Sequence, residues 1–570
     1  MTPKSIATRE NGRALGGLLT LIFLAGLIGL GVYLKQRADG TNDASVASGS
    51  RPSTTASSSA RKAASPAQAP TPIEPLRTPP TLDLPAPYTM QNQTVDVDIS
   101  EYAGYAGLIV ANGGLAPNPR SYFAKEFGFQ VNLVLTEGEN WSALNHGRYA
   151  ASATTTDVLA VLGRQFHVNV PALISFSRGA DQVVVDAELS SINHLKGKRV
   201  AASQFNESEF FIRFLTREAG LAIKVLRDLN DTPDAGEVGL VFYEDTFQAC
   251  DAYAAELKNP TPRLNGCVGW TPRTEETVDA SGGRAKVLVS NRNLLIVSDI
   301  LTVNREFAAA HPQIVRGLVQ GLLEGNRRLI EQPAEHLATV GQAFGWSEQK
   351  TRSELKGVHF ANLPENVAFF SGTIDAAGSF GSIYQSAVLA YGNLLKNTVD
   401  SDRFVDTGPL DAIQREGLFA GQKPAIAPIR SARNDSLEGT PLLSKDIRFF
   451  FEPNSAQLDQ TAKANANYLD TIKTFLQISP GSSVLLRGHV DDARVPEFRR
   501  FGGEKLIQKM ALQAVELSKA RAATVRDALL NRYSNIDPKR IEIVGRGWEE
   551  PAGKDSELNR RVEVQWFTLE

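Results

Sequence analysis

From Ala14 to Leu34 the chain carries no Asp, Glu, Lys, Arg or His. A helix needs about 20 apolar residues to cross the hydrocarbon core of a bilayer, so this run predicts a transmembrane helix over 14–34. Lys4, Arg9 and Arg13 precede it, and Lys35 and Arg37 follow. The heavier N-terminal charge predicts a cytoplasmic segment 1–13, with the rest of the chain across the membrane. A cleaved signal peptide would have a shorter apolar stretch ending in a small-x-small site. Here the run ends Val32-Tyr33-Leu34-Lys35, so an uncleaved, single-pass anchor is expected.

The segment after the anchor, 35–94, contains "ASVASGSRPSTTASSSARKAASPAQAPTPIEP". Such Ser/Thr/Ala/Pro-rich sequence buries too little apolar surface to fold and predicts a disordered tether, with a root-mean-square span of about 40 Å if flexible. The whole chain of 570 residues is 42% apolar and 22% charged, with a net charge of −3. That is globular composition with no basic excess, so nucleic acid is not an expected partner. Two cysteines, Cys250 and Cys267, are too few for a cysteine-rich metal fold. In an oxidising compartment they would pair as one disulfide; the alternative is two unrelated buried thiols.

From Val95 to Gln414, short β-rich runs alternate with helical runs. Val131–Thr136, Val183–Val185, Arg199–Ala202, Val238–Phe242 and Leu294–Val303 read as strands; Phe210–Ala219, Thr246–Leu257, Pro312–Leu329, Pro333–Phe344 and Phe380–Leu395 read as helices. The alternation predicts an α/β fold with mostly parallel sheets, and the length suits two lobes. The segments "GYAGLIVANGGL", "ALNHGRYAASATTTDVLA", "SFSRGADQVVV", "INHLKGKRVAAS", "FFIRFLTREAGL" and "DILTVNREFAAAHPQIVRGLVQGL" resemble, in order, the sulfonate/nitrate/pyrimidine-precursor (taurine-binding-like) periplasmic solute-binding proteins. The resemblance implies a two-lobed clamshell over 95–414 that closes on a small ligand.

In open α/β sheets, ligands sit beyond the carboxyl ends of strands, where loops meet helix N-termini. Loops at such places supply the candidate ligand-binding residues: Thr154, Thr155, Thr156 and Asp157; Ser203, Asn206 and Glu207; and Glu244 and Asp245. Tyr102 and Tyr105 would supply an aromatic wall. Each polar residue among them has an alternative as an N-cap or turn residue. The carboxylates Glu207, Glu244 and Asp245 would repel an oxoanion unless paired, so a cationic or neutral hydrogen-bonding solute fits as well, and a vestigial empty cleft stays open. Some relatives of that family make a pyrimidine precursor with a clustered-cysteine motif; no such cluster is present in the sequence.

After a loop-rich linker, 415–445, come "DIRFFFEPNSAQLDQTAKANANYLDTIKTFLQ", "SSVLLRGHVDDAR", "LSKARAATVRDALL", "RIEIVGRGWEEP" and "NRRVEVQWF", read as β-α-β-α-β-β. Residues 446–570 resemble the OmpA C-terminal-like domain, which binds peptidoglycan. The resemblance rests on Phe451, Ser455, Ala456 and Leu458; Gly488, His489 and Asp491; Leu517, Ser518, Arg521 and Ala522; Gly545 and Gly547; and Asn559, Arg560, Arg561 and Val562. It implies an α+β fold in which Asp491 pairs with the ammonium, and Arg521 with the carboxylate, of a diaminopimelate stem peptide. Asn559 and Arg560 support them. The alternative is an unrelated surface Asp and Arg. The sequence departs from the family at Val490, Arg494 and Ala514, and at a basic insertion, Val495–Gln513.

The sequence has no H-E-x-x-H, G-x-S-x-G, Walker A or dinucleotide fingerprint, and its seven histidines lack metal-ligand helical spacing. No catalysis, cofactor or metal site is expected. The expected protein is anchored in the bacterial inner membrane, has its bulk in the periplasm, and holds peptidoglycan at one end and an unidentified small solute in its clamshell. It would serve solute capture or sensing beside a membrane transporter or signalling partner. The alternative is a non-catalytic scaffold bridging membrane and wall. An ion-driven motor is disfavoured, because 14–34 carries no acidic residue.

Overall fold

The computed structural model describes residues 69–136, 140–292, 294–372, 378–425, 441–452, 455–479, 481–554 and 556–567. The expected transmembrane helix 14–34, its cytoplasmic flank, the tether up to residue 68 and the linker residues 426–440 lie outside these. Among the described residues no helix is long and apolar enough to cross a membrane.

Strands β1 (Thr94–Ser100), β2 (Gln130–Thr136), β3 (Ala151–Thr155) and β4 (Val168–Ser177) begin the first sheet. The chain then crosses into a second sheet made of β5 (Asp181–Asp186), β6 (Arg199–Ser203), β7 (Ala222–Leu226), β8 (Glu237–Tyr243), β9 (Gly266–Trp270) and β10 (Ala285–Ser290). It returns to the first sheet for β11 (Ser298–Asn304) and β12 (Val358–Phe360). The orders are β12-β4-β11-β3-β1-β2 and β10-β5-β9-β6-β8-β7. Each sheet is the centre of one α/β lobe.

The sheets are mixed rather than mostly parallel. β1 pairs in parallel with β2 and β3, and β8 with β6 and β7, but β11 runs antiparallel to β3 and β4, and β5 to β9 and β10. The strands that carry the chain between lobes must enter each sheet from the shared edge, against the direction of the crossover-connected strands. The run expected as a strand from Leu294 starts only at Ser298. Leu294, Leu295, Ile296 and Val297 are the return crossing, buried between the lobes.

Residues 69–94 correct the expected tether, because they lie along the body. Ile73 donates its N–H to the Phe242 carbonyl (2.9 Å), and Leu76 exchanges backbone bonds with the Gln204 amide (2.8 Å each way). Further on, Leu82 N–H reaches Gln165 Oε1 (3.0 Å), Ala86 N–H reaches the Asn145 carbonyl (3.0 Å), and Tyr88 is buried. A proline-rich strap has little conformational entropy to lose and leaves its backbone free to bond across. The strap therefore passes from the second lobe to the first. Helix Phe380–Tyr391 also packs on both lobes, against Thr156–Leu162 and against Glu207–Glu218.

The third sheet has order β13-β16-β14-β15, from β13 (Leu443–Ile447), β14 (Ser483–Gly488), β15 (Ile541–Gly545) and β16 (Val562–Phe567). Helices Lys463–Ile478 and Val495–Arg532 cover it, giving the expected β-α-β-α-β-β order. β13 starts inside the segment read as linker and docks on the second lobe. Ile192 N–H donates to the Leu442 carbonyl (3.0 Å), and Asn193 makes a reciprocal pair with Ser444 (2.9 and 3.1 Å).

Cys250 and Cys267 are joined as a disulfide from helix Thr246–Glu256 to β9, with both residues buried and 17 residues apart in sequence. Closing a loop of that size restricts the unfolded chain. Replacing both cysteines by alanine is expected to lower stability by about 3 kcal/mol, read as a lower denaturant midpoint in a chemical unfolding curve.

Candidate functional site

Two concave sites stand out. The first lies between the lobes, a narrow chamber. Its floor comes from strand ends. Asp98 and Ser100 end β1, Thr136 ends β2, Thr154 and Thr155 end β3, Val297 and Asp299 flank the start of β11, Asp181 starts β5, and Trp270 ends β9. Tyr102 and Tyr105 follow β1 in a short turn and meet edge to face, with ring centroids 5.3 Å apart. Gly104 between them is required, because a Cβ there would overlap the Tyr102 ring. Glu207 enters from the first turn of helix Glu207–Glu218.

Asp98 accepts from Thr136 (2.8 Å) and Ser152 (2.9 Å), Asp299 from Ser175 (2.7 Å), and Asp181 from Asn291 (2.8 Å). Desolvation dominates their acidity. Burial pushes the Asp181 carboxyl up to about 6 and the Asp299 carboxyl well above the ordinary range. Behind the chamber, burial pushes Asp157 up to about 7. Among the described residues that line the chamber, none is Lys, Arg or His.

Of the residues expected here, Tyr102, Tyr105, Thr154, Thr155 and Glu207 line the chamber. The others do not. Thr156 bonds Ser298 (2.8 Å) and is fully buried, and Asp157 sits buried in the first helical turn. Ser203 ends β6 and is buried away from the chamber. Asn206 caps helix Glu207–Glu218 by accepting from Ser208 N–H (3.2 Å), and Asp245 caps helix Thr246–Glu256 by accepting from Gln248 N–H (2.7 Å). Glu244 is exposed. For Asn206 and Asp245, the capping need at a helix start outweighed ligand contact. Asp98, Asp181, Asp299 and Trp270 were missed. Each lies within or at the end of a strand; for the three aspartates the only sequence signal was a charged residue in a largely apolar run, and Trp270 carried none.

The second site is a pocket on the third sheet, with about 1570 Å³ of open space. Asp491, Arg521 and Arg560 line it together with Arg448, Phe451 and Trp548. Arg560 Nε lies 3.6 Å from Asp491. Arg521 lies over the Phe451 ring (5.0 Å) and donates to the Ser455 carbonyl (3.2 Å). Burial, and then the neighbouring Arg560, lower the Arg521 pKa, with Asp491 opposing. Asn559 does not line the pocket. It is buried and clamps the preceding loop, accepting from Ala552 N–H (2.7 Å) and donating to the Gly553 carbonyl (3.0 Å). The insertion 495–513 extends the Arg521 helix, kinked at Gly503 (φ 59°), and supplies Phe498, Met510 and Gln513 as a further wall.

The helix lies directly on the sheet. A Cβ at Gly488 would overlap the Ser518 carbonyl, and one at Gly545 the Val515 carbonyl. Beneath the pocket, Arg487 bonds Glu550 (2.7 Å) and Glu563 (3.2 Å), and His489 Nε2 lies 3.4 Å from Glu563. The carboxylates and the imidazole would suit a cation, but Arg487 and Arg561 already neutralise them. Against burial, the His489 and Gln565 side chains, and then the Arg487 charge, hold Glu563 down at about 2.

The OmpA family profile matches residues 450–565, so the chain carries an OmpA domain there. Over the two lobes the chain is similar to the alkanesulfonate-binding protein SsuA from Xanthomonas axonopodis pv. citri bound to MOPS, at 14% identity and TM-score 0.43, covering 56% of this chain and 99% of that one. The periplasmic aliphatic sulphonate binding protein SsuA from Escherichia coli is similar at 15% identity and TM-score 0.42, with 56% and 100% covered. The desulfurization enzyme DszB is similar at 13% identity and TM-score 0.38, with 57% and 99% covered. No curated protein gives a significant match.

Two buried carboxylates, one beneath the pocket and one behind the chamber, predict opposite pH slopes. The folded pKa of Glu563 is below its unfolded value, so its contribution, about 3 kcal/mol, is complete above pH ~4.5 and is lost as pH falls towards 2. The Glu563→Gln variant should lose stability at pH 7 and show a flatter acid profile in thermal unfolding. The folded pKa of Asp157 is raised, so its contribution falls as pH rises from about 4 to 7. Asp157→Asn should raise Tm at pH 8 and leave it nearly unchanged at pH 4.

Proposed function

We propose that this chain is an envelope binding protein with two ligands. Its C-terminal domain holds the peptide stem of peptidoglycan, and its lobes capture a small solute. The observation that carries the first half is the convergence of one carboxylate, Asp491, and one guanidinium, Arg521, on a single pocket of an OmpA domain. A zwitterionic terminus such as that of diaminopimelate needs one anion and one cation on rigid elements, and Arg offers a planar fork to a carboxylate. Arg560 adds a second cation beside Asp491, and Asn559 holds the loop that precedes it. The chamber between the lobes carries the second half.

In this reading the run 14–34 anchors the chain in the inner membrane as a single pass, with the bulk in the periplasm, so the protein is held at both ends. It captures or senses solute beside a membrane transporter or signalling partner, rather than shuttling freely, and it catalyses nothing. The strap and helix Phe380–Tyr391, each in contact with both lobes, favour a second reading, in which the lobes stay shut and the protein serves as a scaffold between membrane and wall.

Sedimentation of the full chain with purified sacculi tests the wall-binding half. Wild type should pellet with the sacculi. Asp491→Ala and Arg521→Ala should each bind at least about tenfold more weakly, the loss of one charge-assisted contact. Binding equal to wild type in both variants would remove the assignment.

A further inference from the structure

The wall-binding reading asks for one carboxylate and one guanidinium, and the pocket on the third sheet holds more positive charge than that. Arg448, Arg494, Arg521 and Arg560 line it, against Glu452 and Asp491. Two of the four guanidiniums are already matched. Arg494 pairs with Glu497 (2.9 Å), and Arg560 lies 3.6 Å from Asp491. Arg521 is held by the Phe451 ring and the Ser455 carbonyl, and no carboxylate among the described residues comes within ion-pair distance of it. Arg448, exposed and directly after β13, likewise meets no described carboxylate at that distance.

Burial and the neighbouring Arg560 both bear against the Arg521 charge, and Asp491 alone favours it. A guanidinium does not give up its proton in a protein, so such crowding is relieved by an anion that arrives with a ligand. A zwitterionic terminus brings no net charge. It answers Asp491 and Arg521 and leaves Arg448 over. Arg448 stands three residues before Phe451, whose ring lies under Arg521, and three residues span at most about 11 Å. Two arginines based that close together can hold two carboxylates of one small residue, one at its side-chain terminus and one at its main-chain end. The surface around them is aromatic. Phe450 is 49% exposed, and the Phe498 and Trp548 rings lie with centroids 6.4 Å apart.

We propose that Arg448 is a specificity-determining residue, and that the pocket prefers stem peptides whose diaminopimelate residue keeps a free main-chain carboxylate over those in which it is amidated. Asp491 takes the side-chain ammonium, Arg521 the side-chain carboxylate and Arg448 the main-chain carboxylate. The assignment rests on the wall-binding reading and adds to it the charge state of the stem that is held. Charge-assisted bonds from a guanidinium to a carboxylate are about twice as strong as neutral ones, so an amide in that place is the poorer partner.

Titration calorimetry on the full chain tests it with two synthetic tripeptides. One is L-Ala-γ-D-Glu-meso-diaminopimelate with its main-chain carboxylate free, and the other is the same peptide with that carboxylate amidated. Wild type should bind the free acid at least about tenfold more tightly than the amide. Arg448→Gln should weaken the acid to the level of the amide and leave the amide within about twofold of wild type, with an unchanged far-UV circular dichroism spectrum showing that it folds. Asp491→Ala and Arg521→Ala should weaken both peptides. Equal affinity for acid and amide in wild type, or a preference that survives in Arg448→Gln, would overturn the role of Arg448 while leaving the wall-binding reading standing. No binding of either peptide, or Asp491→Ala and Arg521→Ala binding both like wild type, would overturn the two together.

Discussion

Asn291 ties the two passages between the lobes into one knot. Its side chain donates to Asp181 (2.8 Å) and accepts from Gly179 N–H (2.7 Å), while its backbone N–H reaches the Asp181 carbonyl (2.9 Å). Ser177 and Val297, on either side, are bonded backbone to backbone (3.2 Å). The relation of the two sheets is set here. So is the position of Asp181, which belongs to the knot and to the chamber wall at once. The Asp299 and Val297 side of the chamber is delivered by the same return passage. The joint between the lobes and the floor of the site are therefore the same few residues.

Buried carboxylates appear in both candidate sites with opposite consequences. Glu563 is surrounded by Arg487, Arg561 and His489, and ionises more readily than in water. Asp181 and Asp299 receive hydrogen bonds but no guanidinium, and give up their protons less readily than in water. Burial penalises both; the supply of opposite charge decides the sign. In the third sheet the charges brace strand ends. Between the lobes they line the chamber.

Much of the architecture was legible in the sequence. The helices Pro312–Glu331 and Pro333–Phe344 begin at prolines, where the first helical turn has N–H groups to spare, and the apolar runs of β2, β6 and β8 are bounded by turn residues. Mixed strand direction was not legible, because an apolar run has no direction until its partner is known. In the C-terminal domain Asp491, Arg521 and Arg560 come together as their motifs implied. The chamber fared worse. Ser, Thr, Asn and Asp before a helix read the same whether they cap it or touch a ligand, and Asn206 and Asp245 are caps. Asp98, Asp181 and Asp299 come from three strands brought together only by tertiary pairing, so no local spacing marks them. The strap at 69–94 was hidden because proline-rich composition says nothing of a surface to lie on.

Gly488 and Gly545 put the helix that carries Arg521 in direct backbone contact with the sheet that carries Asp491. That joint between helix and sheet has no side chains to swap, so its spacing cannot be retuned by trading one residue size for another. A further part of the pocket wall is made of Phe498, Met510 and Gln513, all supplied by the inserted stretch of the same helix. The pocket works like a vice with one fixed jaw. Any drift in what it grips must be written into residues 495–513, where sequence change is cheap, while the jaw that carries the charges stays in gauge.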